Sequence, residues 1–227
     1  MVEIFLDTAS VDEIKAVLPW GIASGVTTNQ RIFLTTSKGV DIRRRITEIL
    51  SLINGPLSVE LTKTDKGDDE LIEEATEYAN LSPNIVVKVP MWGDGRGLRL
   101  INRLSQLRIK TNATCLMTTN QVLLACKAGA VYASVFFNRV KDSGGDPVQV
   151  ISESRRLIDL GGFKTKIIAG SIRKPEDVPQ AAIAGAHIVT IPYKVLLQMP
   201  YHPKTEETIK EFDAAWQEYL KSLKSEG

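Results

Sequence analysis

Residues 84–90 read NIVVKVP, a short apolar run bounded by Asn and Pro. Runs of this kind are strands buried on both faces, the type that builds parallel sheets. Lys88 is out of place in it, because an ammonium group inside a sheet is costly unless it is paired or neutral and put to use. The alternative is a lysine whose stem crosses apolar surface while its head reaches water. The rest of the chain has to decide between the two.

Seven comparable runs accompany IVVKVP (85–90): EIFLD (3–7), GVTTN (25–29), LSVEL (57–61), KTNATCL (110–116), YASVF (132–136), KIIAGS (166–171) and IVTIP (188–192). Helix-like stretches lie between them. In DPVQVISESRRLIDL, Asp146 is placed as an N-cap and Pro147 at the first helical position. Ser10 and Glu13 have the spacing of a capping box opening a helix after the first strand. LLACKAGAVYASVF and QAAIAGAHIVTIP each pair a helix ending at Gly with an immediate strand, and LPWGIASGVTTN is a looser version. Strands alternating with helices predict a parallel sheet with right-handed crossovers. Eight such units predict an α/β chain folded as a single-domain (β/α)8 TIM barrel across residues 1–227. No glycine-rich phosphate fingerprint follows the first strand, which argues against an open dinucleotide-binding sheet. Residues 203–227 read as a C-terminal amphipathic helix and tail. Phe212, Trp216 and Leu220 recur there at helical spacing, so that face is expected to be buried, against the barrel or a partner.

With 28 basic and 27 acidic residues, the chain has no net field to favour nucleic acid or a membrane surface. Any anion it binds must therefore be held by a local cluster. Cys115 and Cys126 form neither a metal-ligand spacing nor a disulfide framework, which suits a reducing cytoplasm. The N-terminus lacks the pattern of a secretory leader, and no apolar run approaches the roughly 20 residues of a membrane span. A cytoplasmic location is expected. His187 and His202 have no ligand partner at metal spacing, so no metal is expected, and no cofactor either.

In a closed barrel, alternate strand residues face inward and chemistry gathers at the strands' C-terminal ends. Asp7 ends the first strand, and Thr27 and Asn29 the second; Glu60 lies near the end of the third. Lys88 holds that level on the fourth strand, with Val87 and Val89 turned outward. Asn112 and Thr114 follow on the fifth, and Ser134 and Phe136 on the sixth, with Arg139 just beyond. Ser171 ends the seventh, with Arg173 just beyond. Each residue alone has an ordinary structural explanation. Seven consecutive strands placing a polar or ionisable group at one level describe the wall of a polar pocket around a lysine.

A desolvated lysine beside carboxylates is the equipment for Schiff-base chemistry. The free amine attacks a carbonyl, and the resulting iminium draws electrons from an adjacent C–C bond, which breaks to leave an enamine. An acid/base group must take the proton from the neighbouring hydroxyl, and a held water must shuttle protons. Asp7, Glu60 and Thr114 can supply these roles, and Arg139, Ser171 and Arg173 can hold an anionic terminus. A sugar-phosphate lyase or transferase follows from these residues; a silent sugar-phosphate-binding barrel is the competing class.

The ordered set FLDTAS, GVTTN, LSVEL, IVVKVPM, TNATCL, ASVFFNR, AGSIRKP and HPKTEE resembles the transaldolase family over nearly the whole chain. It is most similar to the short branch that includes the fructose-6-phosphate aldolases. The resemblance implies that Lys88 is the Schiff-base lysine, Asp7 the acid/base, and Glu60 and Thr114 the pair that holds the catalytic water. It implies that Asn29, Asn112 and Ser134 bind substrate hydroxyls and that Arg139, Ser171 and Arg173 bind a terminal phosphate. It also implies a homo-oligomeric ring, a pentamer or decamer, with the terminal helix reaching a neighbour through Phe212 and Trp216. Glu60 and Phe136 look like the transaldolase choice, where the aldolases carry glutamine and tyrosine. Transfer of a dihydroxyacetone unit to an aldose phosphate acceptor is therefore expected over release of free dihydroxyacetone. Two departures stand out: TTNQR replaces the usual TTNPS, bringing Gln30 and Arg31, and Trp92 follows the fourth strand where a small polar residue is usual. Arg31 and Trp92 are therefore expected at the mouth, where they would retune the donor's anionic end. Besides fructose 6-phosphate, 6-deoxy-6-sulfofructose, the donor of a relative of this family, becomes a candidate ketose.

Overall fold

Among the described residues eight strands alternate with helices and close into one barrel in sequence order, every neighbouring pair parallel and the eighth strand returning to the first. The computed structural model describes residues 2–225, so the last two residues of the expected tail lie outside it. The strands are β1 (Glu3–Asp7), β2 (Ala23–Thr27), β3 (Leu57–Glu60), β4 (Ile85–Pro90), β5 (Thr111–Leu116), β6 (Tyr132–Phe136), β7 (Lys166–Gly170) and β8 (Ile188–Pro192). This is the (β/α)8 TIM barrel expected from the alternation.

Local signals account for many of the boundaries. Asp146 caps the helix Pro147–Gly161 by accepting from the N–H groups of Val148 and Gln149. Gly129 ends the helix Thr119–Ala128 at φ 97°, and Gly185 follows the helix Asp177–Ile183 at φ 103°, a conformation that glycine adopts without a Cβ penalty. The Ser10 cap forms, with its hydroxyl accepting from Glu13 N–H. The reciprocal half of the box does not, because the Glu13 carboxylate accepts from Thr8 Oγ1 instead, and Thr8 Oγ1 in turn accepts from Ser10 N–H.

Outward strand residues such as Val87 and Val89 are fully buried in one core shared with Leu100, Ile101 and Leu104 of the helix Arg96–Gln106. Inside the barrel, two layers differ in kind. Phe5, Ile168 and Ile188 form a separate buried cluster, with the Tyr132 ring edge-on to Phe5 at 6.2 Å. Each fully buried side chain of this size contributes about 1.5–3 kcal/mol. Two residues further along the same strands the inward positions are Asp7, Gly170 and Thr190, and Glu60, Lys88 and Asn112 make the layer polar on the other side. The interior is thus apolar below and polar above. The β2–β3 seam is short: only Val26–Leu57 and Thr27–Ser58 are in register, as few pairs as at β7–β8. Beside its lower end is an apolar cavity of ≈ 390 Å³ lined by Leu6, Ile14, Val17, Leu18 and Ile53, among others.

The terminal helix Pro203–Ser225 is preceded by His202, whose Nδ1 accepts from Lys204 N–H. The barrel does not cover its apolar face: Phe212 is 69% and Trp216 56% exposed, and Ile209 and Tyr219 are exposed beside them. Leu220 is half-buried, and of the two covers expected for this face, the barrel or a partner, the barrel is not the one that shields Phe212 and Trp216. Trp216 stacks on Tyr219, with ring centres 5.4 Å apart. Among the described residues no helix is long and apolar enough to cross a membrane.

A buried carboxylate fixes the loop after β3. Glu74 accepts from Thr62 N–H and Oγ1, from Lys63 N–H and from the Tyr78 hydroxyl. Burial and this neighbouring charge hold the Tyr78 hydroxyl protonated far above its usual range. Glu74→Ala leaves these donors unpaired and should cost about 2–3 kcal/mol. Thermal unfolding should show this as a fall of roughly 5–10 °C; an unchanged Tm would mean that the clamp carries no net stability.

Candidate active site

Register sets the level of the polar layer. Glu60 on β3 pairs with Lys88 on β4, and Lys88 with Asn112 on β5. Residues paired in this way project to the same side, so Glu60, Lys88 and Asn112 stand next to one another inside the barrel. Lys88 is only 4% exposed. Its Nζ lies 3.5 Å from Glu60 Oε2 and donates to the Thr28 carbonyl at 3.0 Å. The reading in which its head escapes to water is excluded by this burial.

Asp7 on β1 completes the cluster. Its Oδ1 accepts from Thr27 Oγ1 at 2.6 Å, and Thr27 Oγ1 meets Thr190 Oγ1 of β8 at 2.5 Å. Burial pushes the Asp7 carboxyl above the usual range, while the Lys88 charge and the Thr27 hydroxyl offset this only in part. Burial raises Glu60 as well; Lys88 pulls it down and the Asp7 charge adds to the rise. Two carboxyl groups with raised pKa thus flank one lysine, the arrangement expected of groups that exchange protons.

Below and beside Lys88, Asn112 Nδ2 donates to Ser58 Oγ at 3.3 Å and Ser134 Oγ donates to Asn112 Oδ1 at 2.8 Å. The Thr114 hydroxyl is buried and has no hydrogen-bond partner among the described residues. Just after it the β5–β6 register shifts, and Cys115 takes φ 63°. Burial, with the Glu60 charge, pushes the Cys115 thiol upward, so it stays protonated.

A cavity of ≈ 380 Å³ opens above this layer. Asp7, Thr27, Asn29, Arg31, Lys88, Ser134, Phe136, Arg139, Ser171 and Arg173 all line it. Glu60, Asn112 and Thr114 are buried behind its wall. Asn29 lies beyond β2, which ends two residues earlier than expected, because its side chain caps the helix Gln30–Thr36 by accepting from Ile32 N–H at 2.9 Å. Its NH2 group remains the donor available to the cavity. Gln30 ties the same turn to the end of β3, donating to the Leu61 carbonyl at 2.7 Å. Trp92 is the correction: it does not line the cavity but packs on the Arg96 guanidinium, 5.2 Å from the ring centre. Arg96 is held by Asp68 and the Thr64 and Lys66 carbonyls, so Trp92 braces a loop rather than the mouth.

At the cavity's far end, the Arg139 guanidinium sits 5.8 Å from the Phe136 ring centre. Arg173 makes a two-pronged pair with Asp142, whose carboxyl it holds below the usual range. Neither Arg31 nor Arg139 has a carboxylate within 4.0 Å among the described residues, although the Arg139 charge helps Arg173 to hold the Asp142 carboxyl down. Sequence reading missed Thr190, although β8 alternation turns it inward just as it does the others. It also missed Thr28, which acts through a carbonyl and leaves no side-chain signal. Among the described residues no group of His, Cys, Asp and Glu could hold a metal ion, and His187 is used structurally, accepting from Ile167 N–H.

A step in which Asp7 takes a proton needs its ionised form, which is full above its raised pKa and lost as pH falls through it. The acid limb of kcat/KM should therefore lie above the ordinary carboxylate range. Thr27→Val removes a hydrogen bond to the ionised form, so the limb should move to still higher pH. A pH–rate profile checks this; a shift downward, or none, would count against Asp7 as the base.

The model of the transaldolase/fructose-6-phosphate aldolase family matches residues 4–227. A probable transaldolase of Carboxydothermus hydrogenoformans is 47% identical over 215 residues, covering 95% of this chain and 98% of that protein. One of Geobacillus thermodenitrificans is 43% identical over 212 residues, 93% of this chain and 97% of its own. A solved structure, thiamine phosphate pyrophosphorylase from Pyrococcus furiosus, shares the fold alone, with a TM-score of 0.57 at 11% identity over 88% of this chain and 94% of that one. The barrel, its lysine layer and full-length relatives converge: the chain belongs to the transaldolase and fructose-6-phosphate aldolase family of enzymes.

Proposed function

We propose that the chain is a Schiff-base transaldolase that moves a dihydroxyacetone unit from a ketose with an anionic C6 group to an aldose phosphate. The observation that carries this reading is a buried Lys88 within reach of Glu60, with Asp7 in the same cavity. Lys88 Nζ attacks the ketose C2 carbonyl, and loss of water gives the iminium. Asp7 takes the C4 hydroxyl proton as the C3–C4 bond breaks, releasing an aldose and leaving an enamine on Lys88. Glu60 and the otherwise unpartnered Thr114 hydroxyl suit the water that carries protons during dehydration. The enamine then attacks the acceptor aldehyde, and hydrolysis frees the new ketose.

Arg139, Ser171 and Arg173, with Arg31, face the donor's C6 end. Asp142 shares Arg173 and so lowers the positive charge offered at this end beside Arg31 and Arg139, which we read as suiting the singly charged sulfonate of 6-deoxy-6-sulfofructose over a phosphate dianion. Borohydride reduction with a panel of ketoses tests mechanism and donor together. A ketose-derived mass should appear on Lys88, with sulfofructose trapping at lower concentration than fructose 6-phosphate. Lys88→Met should lower turnover about 10⁴-fold or more while leaving Tm in place. No adduct on Lys88 would place a silent binding barrel first, and preference for the phosphate would overturn the sulfonate reading. Free dihydroxyacetone accumulating without acceptor would make the enzyme an aldolase.

The exposed row Ile209, Phe212, Trp216 and Tyr219 on the terminal helix supports a homo-oligomer closed by this face. Light scattering should give a multiple of 25.0 kDa for the full chain and a smaller assembly for Trp216→Asp. A monomeric wild type would overturn this.

A further inference from the structure

The turn after β7 carries two of the residues assigned to the anionic end of the donor, yet its backbone is not self-supporting. Ser171 takes φ 57°, which is unfavourable for a residue with a Cβ. Three contacts hold the turn from outside. Asn138, on the helix Phe137–Asp142 that follows β6, donates to the Ser171 carbonyl at 2.9 Å. The same amide donates to Asp177 Oδ2 at 2.6 Å, and that oxygen also accepts from the N–H groups of Arg173 and Lys174 at 3.1 and 3.2 Å. Lys141 closes the arrangement on Asp177 Oδ1 at 3.2 Å.

Asp177 is 0% exposed and does not line the cavity. Burial pushes its carboxyl up, but the hydrogen bonds from Asn138, the Arg173 N–H and Lys141 outweigh this and hold it ionised. A buried carboxylate that spends one oxygen on two consecutive backbone N–H groups and on the amide fixing the preceding carbonyl determines the path of residues 171–174. That path sets where Ser171 and Arg173 stand relative to Lys88, on which anion capture and carbonyl attack must both register.

We propose that Asp177, acting through Asn138, is a positioning residue that sets the distance between the anion-binding end and Lys88, and so makes the enzyme selective for ketoses with a charged terminus. The role rests on the reading that the donor's anionic group binds at Arg139, Ser171 and Arg173. Asp177 touches no substrate itself.

The test is borohydride trapping on Lys88 in the full chain, comparing fructose 6-phosphate and 6-deoxy-6-sulfofructose with dihydroxyacetone, which occupies only the lysine end. In wild type, the anionic ketoses should trap at lower concentration than dihydroxyacetone. In Asp177→Asn their half-saturating concentrations should rise about tenfold or more, with dihydroxyacetone trapping unchanged. Asn138→Ala cuts the same clamp from the other helix and should show the same selective loss, which keeps the question open to measurement if Asp177→Asn does not fold. Equal losses for charged and neutral ketoses would make Asp177 a general stability residue and overturn the proposal, as would unchanged trapping of the anionic ketoses. Wild type that traps anionic ketoses no better than dihydroxyacetone would overturn the donor reading itself, and the positioning role with it. That result is seen before any variant is made.

Discussion

A single lysine enclosed by a sheet constrains everything around it. Lys88 keeps its place because Glu60 stands opposite it on the adjacent strand and its Nζ donates to the Thr28 carbonyl. Slipping β4 by one residue would turn Lys88 into the apolar layer beneath the helices and bring Val87 or Val89 inward. The register of the barrel and the chemistry of the lysine are therefore one constraint. The apolar plug of Phe5, Ile168 and Ile188 closes the barrel beneath the polar layer, and the cavity opens above it.

The rim is stabilised by a repeated device. Glu74 and Asp177 are both buried carboxylates on helices, and each accepts from consecutive backbone N–H groups of a strand-to-helix loop. One serves the loop that follows Glu60, the other the turn that bears Ser171 and Arg173. A chain of almost neutral net charge thereby holds a local cluster of guanidinium groups at the cavity. Hydrogen bonds to a charged acceptor are the stronger kind, which suits them to holding irregular backbone in place.

Period-two alternation and glycine stops made the barrel and most of its polar layer legible, since both are local properties of short segments. Seven of the eight strands keep their expected starts and ends to the residue or differ by one, whereas β2 stops early because Asn29 uses its side chain as a cap. Trp92 defeated the same reasoning: its partner Arg96 is committed by groups near residues 64–68, and nothing in the local pattern shows that. Asp177 was invisible for a similar reason. Its carboxylate acts on backbone N–H groups and on Asn138, which lies 39 residues away in the chain. The terminal helix showed its apolar face clearly, but a face does not say what covers it.

The β2–β3 seam has a consequence for motion. Its upper end is tied by Thr28 to the Ser58 carbonyl and by Gln30 to that of Leu61, at the level of Lys88. Its lower end has only a short ladder beside an apolar cavity. The side-chain ties thus sit at the end that carries the chemistry, and local opening of this seam is expected to begin at the other. Breathing there can relieve thermal strain and expose backbone amides to exchange while the lysine layer stays shut, so that the flexibility of the fold and the rigidity of its reaction centre occupy opposite ends of the same pair of strands.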